Sequence, residues 1–209
     1  SQEAIDRIVP KVGESLFIAW AGTVIGAFFS FPVAFLAANN FSLNTFSRVT
    51  KQILNVIRAF PELILAFVLL PITGLGPLTG TLAVGIHSIG TLGKLSSEVI
   101  EGIDEGPLES IKSSGGSKLN ELFFGVIPQV MPTITSYWLY RFEINLRASA
   151  VLGVVGAGGV GAELINQLRF RDFPRAGTVL VVTIVMVLIV DAISAAIRRR
   201  IIKGRDIKV

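Results

Sequence analysis
The residues of this chain with the capacity for chemistry fall into two stripes. Gln129, Thr133, Ser136, Tyr140, Glu143 and Arg147 recur at steps of three and four, which places them on one face of a helix. His87, Thr91, Lys94, Glu98 and Glu101 repeat the pattern in an earlier segment. Both stripes lie in apolar surroundings. A charge at the centre of a membrane-spanning helix costs roughly 2.5–3.5 kcal/mol, so such residues turn toward a bundle interior or toward water. Two readings follow. In one, the stripes are buried polar glue, with Glu143–Arg147 and Lys94–Glu98 as neutralising pairs four residues apart. In the other they line a hydrophilic pathway, and two aligned stripes in one small protein favour this second reading.

Other chemistry finds little support. Gly156-Ala157-Gly158-Gly159-Val160-Gly161 satisfies the G-x-G-x-x-G pattern after the apolar run Val151 to Val155. A dinucleotide site needs a βαβ unit and an acidic residue about 20 positions on. Here the flanks are a polar-striped helix and, after Asn166-Gln167-Leu168-Arg169, another apolar run. The glycines Gly156, Gly158, Gly159 and Gly161 instead let the chain leave a helix and pass close to a neighbour, or present successive N–H groups as an anion-binding nest. No G-x-x-x-x-G-K-[ST] occurs, so the chain binds no nucleotide by a P-loop. There are no paired carboxylates, no Ser–His–Asp arrangement and no histidine cluster, His87 being the one histidine. Without cysteine, thiolate chemistry and Cys–metal sites are excluded. The expectation is a protein that is not an enzyme and holds no metal.

The elements that carry these residues are membrane spans. The chain of 209 residues is 51% hydrophobic and 16% charged, against about 25% charged in ordinary soluble domains. Ser15 to Ala38 contains no charged residue, and about 20 apolar residues suffice to cross a bilayer as a helix. The pattern predicts an amphipathic interfacial segment over 1–14, with Ala4, Ile5, Ile8, Val9 and Val12 on its apolar side. Five spans follow, at about 15–38, 52–73, 78–100, 129–154 and 176–197, with a loop at 101–127 and a basic tail at 198–209. The tail carries Arg198, Arg199, Arg200, Lys203, Arg205 and Lys208, which marks the cytoplasmic side. The net charge of +4 therefore needs no nucleic-acid partner. Five spans put the amino end outside and the 101–127 loop inside. Because the sequence starts at Ser1 without an initiator Met, further residues are expected upstream.

The longest polar, acid-rich interval, Glu98 to Pro128, has few breakers, placed at its ends and at Gly115-Gly116. It reads as a folded helix–turn–helix, a docking surface held between two spans. Membrane subunits of ABC importers carry a cytoplasmic Glu-Ala-Ala loop in which a glycine follows the Glu by six and a proline by nineteen. Glu109, Gly115 and Pro128 stand at that spacing, with Ser110-Ile111 for the alanines, Gly125 for an aliphatic residue and Ile127 for a leucine. More specific is YWLYRFEINLRASAVLGVVGAGGVGAELINQLRFRDF from Tyr137, followed by DAISAAIRRRII. With GKLSSEVIEGID, RAFPELILA and FPVAFLAANN it resembles the phosphonate ABC transporter permease family over nearly the whole chain. Methionine importer permeases share the Gly-rich segment and form the alternative.

The resemblance implies an all-α polytopic membrane protein, a type I ABC importer permease core. It implies a second copy of the chain to complete the pathway, cytoplasmic ABC ATPase subunits that bind ATP and Mg, and an extracytoplasmic phosphonate-binding protein. The helix around Pro107 to Ser114 would dock on the ATPase, with Glu109 and Gly115 setting its fold and Ser110 and Pro128 completing the motif. A phosphorus oxyanion would favour Arg141, Arg147, Lys94 and His87 along its route, with Tyr140 beside them and Glu143 neutralising Arg147. The family usually carries one further span upstream.

Overall fold
A computed structural model describes the backbone of residues 2–206 and the side chains of residues 8–201. Its elements are α1 (Gln2–Ala37), α2 (Asn44–Ala59), α3 (Glu62–Thr73), α4 (Pro77–Glu101), α5 (Gly106–Ser113), α6 (Lys118–Asn120), α7 (Ile127–Leu152), α8 (Gly159–Arg169) and α9 (Phe173–Asp206). A π-helical turn (Glu121–Val126) joins α6 to α7, and a 3-10 turn (Gly153–Val155) closes α7.

The centre is α4. It carries the small residues Thr79, Gly80, Thr81, Ala83, Gly85, Ser88, Gly90, Gly93, Ser96 and Ser97, all buried. Small side chains let helix backbones approach closely where lipid gives no hydrophobic drive for association. At Gly26 of α1 an added Cβ would collide with Ser88, and at Gly22 it would come within 2.9 Å of Val84. Helix α1 therefore lies directly along α4. By length and composition two helices, Ile8–Ala37 and Phe173–Ile201, can each cross a membrane, and up to four spans result if each bent pair counts as one. Helix α4 is sheathed by its neighbours, so its surface need not be greasy. Helix α9 is the opposite case, with Leu180, Val181, Ile184, Leu188 and Ile189 exposed.

Two expectations differ from this architecture. The 1–14 segment is not a separate element, because α1 runs unbroken through it and Ile8 is buried with Val160, Val179 and Met186. Its residues Ala4, Ile5, Asp6 and Arg7 lie outside the described side chains, as do Lys203, Arg205 and Lys208 of the tail. Residues 52–73 are not one straight helix either: α2 and α3 meet at 88°. Phe60 is extended at φ −81°, ψ 123°, as a residue before proline prefers, and Pro61 has no N–H to continue the ladder.

Candidate functional site
The loop between α4 and α7 is built and anchored. Asp104 and Gln129 clasp each other: the Asp104 amide donates to Gln129 Oε1 at 2.9 Å, and Gln129 Nε2 donates to the Asp104 carbonyl at 3.1 Å. The same Nε2 reaches the Gly125 carbonyl at 2.8 Å. Asp104 Oδ1 then accepts from the Gly106 amide at 3.0 Å, where α5 begins. On the other flank Glu101 accepts from Lys51 Nζ at 2.6 Å and from the Asn39 amide at 2.7 Å. Burial alone would raise the Glu101 carboxyl, but these two hydrogen bonds and the Lys51 charge outweigh it and hold the group below its ordinary value.

Helix α5 ends by a specific geometry. The Gly116 amide donates to the Ile111 carbonyl at 2.9 Å and the Gly115 amide to Lys112 at 3.0 Å, the paired bonds of a Schellman stop. Gly115 sits at φ +75°, a left-handed conformation that suits glycine. Leu108 and Ile111 face the π-helical turn, where a Cβ on Gly125 would come within 3.1 Å of Leu108 and 3.4 Å of Ile111. The departure from an aliphatic residue at Gly125 is thus the seat on which α5 rests. Glu109 and Ser110 are exposed, and no residue of α5 is fully buried. Ser110 Oγ donates to the Gly106 carbonyl at 3.0 Å. No hydrogen bond or ion pair of the Glu109 side chain is present among the described residues, while Gly115 makes one of the two bonds that stop α5. Pro128 is the second residue of α7, directly after the π-helical turn.

The polar stripes divide. Arg141 is buried: its Nε donates to Ser88 Oγ at 2.9 Å, and Nη2 lies 2.8 Å from Glu62 Oε1 and against His87 Nδ1. Asn145 donates to Ser88 Oγ at 3.0 Å and to Thr23 Oγ1 at 2.8 Å, which extends the network to α1. Lys94 pairs with Glu98 at 3.0 Å along its own helix. Glu143 and Arg147 are not partners of each other. Arg198 Nη1 lies 2.7 Å from Glu143 Oε1, a charge pair without hydrogen-bond alignment, and Arg147 pairs with Asp191. Arg198 also lies 5.7 Å over the Tyr140 ring. This part of α7 is therefore occupied by α9, and the expected Glu143–Arg147 pair gives way to inter-helix pairs because α9 brings opposite charges to both. The structure adds Glu62, Ser88, Asn145 and Asp191 to the site. The sequence signal for Glu62 was a single acid in the apolar run RAFPELILA, and an intramembrane acid is a functional candidate by default.

The Gly-rich segment is a close junction. Gly156, Gly158 and Gly159 have φ of +76°, +85° and +68°. Added Cβ atoms would strike the Glu14 carboxylate at Gly158, Ser15 Oγ at Gly159 and the Ala150 carbonyl at Gly161. Ser15 Oγ accepts from the Val160 amide at 3.0 Å, capping α8. A carboxylate and a hydroxyl of α1 thus fill the hollow, which favours close approach over an anion nest.

A sheathed small-residue helix, apolar exposed helices around it and one structured polar loop define a helical membrane protein. The sequence profile of the family described as "Binding-protein-dependent transport system inner membrane component" matches residues 30–203, and the chain belongs to that family. It is 40% identical over 187 residues to the phosphite transport system permease protein PtxC of Stutzerimonas stutzeri, covering 89% of this chain and 68% of that protein. To a protein of Escherichia coli K12 described as a cryptic phosphonate transport system permease it is 46% identical over 121 residues, 58% of this chain and 99% of the relative. Among solved structures, a chain of the MetNI methionine ABC transporter in an inward-facing conformation superposes with a TM-score of 0.82 at 19% identity, over 96% of this chain and 99% of that one. That likeness shows the fold. The chain is thus a transport permease of the inner membrane and not a catalyst.

Proposed function
We propose that this chain is the membrane subunit of an ATP-driven importer of a phosphorus oxyanion, phosphonate or a close relative such as phosphite. Two copies form the pathway. ABC ATPase subunits with ATP and Mg dock on the 101–127 loop from the cytoplasm, where the basic tail also lies, and an extracytoplasmic phosphonate-binding protein delivers the ligand. The observation that carries the reading is α5: a short helix with its outer side free, seated on Gly125, stopped at Gly115 and tied to α2 and α7 by Lys51–Glu101 and Asp104–Gln129. Such a loop passes motion from a docked motor into the bundle, a packing change between two states and not chemistry on the ligand. Arg141 with His87 forms the cationic point of the route, and Glu143 and Arg147 serve the α7–α9 junction. The relatives named for phosphite and phosphonate transport, at 40% and 46% identity, favour a phosphorus ligand over methionine, whose transporter shares the fold at 19%. The test is ATP hydrolysis by the assembled complex with its binding protein. Phosphonate or phosphite should stimulate it and methionine should not; stimulation by methionine alone would overturn the substrate.

A further inference from the structure
The Arg141 cluster contains a group that an anion route by itself does not require, the carboxylate of Glu62. Its oxygen Oε1 accepts from Arg141 Nη2 at 2.8 Å, and His87 Nδ1, which also meets Arg141 Nη2, lies 3.1 Å from the same oxygen. The cation is fixed in place. Arg141 Nε is held by Ser88, and Ser88 by Asn145, which also bonds Thr23, so α1, α4 and α7 share in positioning it. The anion is mounted differently. Glu62 is the first residue of α3, directly after Pro61 and the 88° elbow. The Arg141 side chain is 5% exposed and that of Glu62 is 23% exposed, so the carboxylate is the more open member of the pair.

We infer that Glu62 is a resident counter-anion of Arg141, which the transported oxyanion displaces during passage. The inference rests on the reading of the chain as a phosphorus oxyanion permease. A buried guanidinium without a partner is strongly unfavourable, so a cation kept in the membrane for a passing anion needs a substitute while the route is empty. A carboxylate at the start of α3, beside the α2–α3 bend, supplies it. A tetrahedral oxyanion offers several acceptor oxygens, so the Arg141 guanidinium, which now meets a single Glu62 oxygen, gains further acceptors. The exchange leaves Arg141 paired throughout. Return of Glu62 then drives the ligand off, which keeps the site weak and turnover fast. Displacement also shifts the first turn of α3, so occupancy of the site is felt at the elbow.

The experiment measures equilibrium binding of radiolabelled phosphite to the purified permease–ATPase complex without the binding protein, for wild type, Glu62→Gln and the double variant Glu62→Gln with Arg141→Gln. Removing the competitor should tighten binding about tenfold or more in Glu62→Gln and slow uptake, and the double variant should lose the gain. Equal binding by wild type and Glu62→Gln would overturn the exchange. If Glu62→Gln fails to assemble, the double variant should restore assembly, because it also removes the unpaired guanidinium; assembly that is lost in Glu62→Gln and not restored in the double variant would overturn Glu62 as the counter-anion of Arg141. The substrate reading fails separately, if the wild-type complex with its binding protein takes up none of phosphonate, phosphite or phosphate.

Discussion
Glu109 of α5 and Gly115 just beyond its end carry different duties, and substitution separates them. At Gly115 the backbone is left-handed, where a side chain costs about 1–2 kcal/mol. Gly115→Ala should therefore loosen the end of α5, seen as faster hydrogen exchange at the Gly115 and Gly116 amides, and lower uptake per ATP while the protein still inserts. The Glu109 side chain makes no hydrogen bond or ion pair among the described residues, so Glu109→Lys should leave exchange unchanged and still uncouple ATP hydrolysis from uptake. Normal uptake by Glu109→Lys would remove the docking assignment. A third residue tests the seat. Gly125→Leu places a side chain where Leu108 and Ile111 already lie, and it should displace α5 with a loss of coupling like that of Gly115→Ala.

Helix-scale features were legible in proportion to how local their causes are. Helix α4 and the body of α7 follow from apolar runs, and the π-turned loop from its acid-rich composition and paired glycines. The α2–α3 elbow was hidden because Arg58-Ala59-Phe60-Pro61-Glu62 sits inside a hydrophobic stretch, and apolarity reports burial in lipid without reporting direction. Lys94–Glu98 forms as its spacing predicts, whereas Glu143–Arg147 does not, for a related reason. Spacing of four predicts Glu143–Arg147 along one helix, but α9 brings Arg198 and Asp191 against α7, and sequence alone does not say which helices touch. The anchors of the loop are non-local in the same way. Lys51 and Glu101 lie 50 residues apart and Asp104 and Gln129 lie 25 apart. Each hydrogen bond is worth about 0.5–1.5 kcal/mol, so Gln129→Leu, which removes three, should free the loop and depress coupling more than stability. Acid acts on the other tether. The carboxyl of Glu101 is held below its ordinary 4.5, so its contribution is complete above that value and is lost as pH falls through the lower folded-state value. Transport coupling should be insensitive to Glu101 between about pH 6 and 8; a Lys51→Met variant tests the tether there by removing the partner.

At the scale of the molecule everything depends on which side of the membrane α5 occupies. Basic residues favour the cytoplasm, and Arg199 and Arg200 near the end of α9, with Arg48 and Lys51 of α2 and Lys112 and Lys118 of the loop, favour the proposed orientation with the start of α2 and the loop inside. The connector after α8 opposes this with Arg169, Arg171 and Arg175, although Asp172 lies 3.3 Å from Arg175 and offsets one of them. The count of charges alone does not decide between two such ends, whereas labelling does. The sequence has no cysteine, so single-cysteine variants give an unambiguous signal. Ser113→Cys lies on exposed α5 and Phe170→Cys at the exposed end of α8, the two extremes of the proposed topology. A membrane-impermeant maleimide added to intact cells should modify Phe170→Cys within minutes and leave Ser113→Cys untouched until the membrane is permeabilised. Docking of the assembled ATPase should then protect Ser113→Cys again. The reverse pattern would put α5 where no ATP-driven partner can reach it, and the permease would have to take its energy from elsewhere.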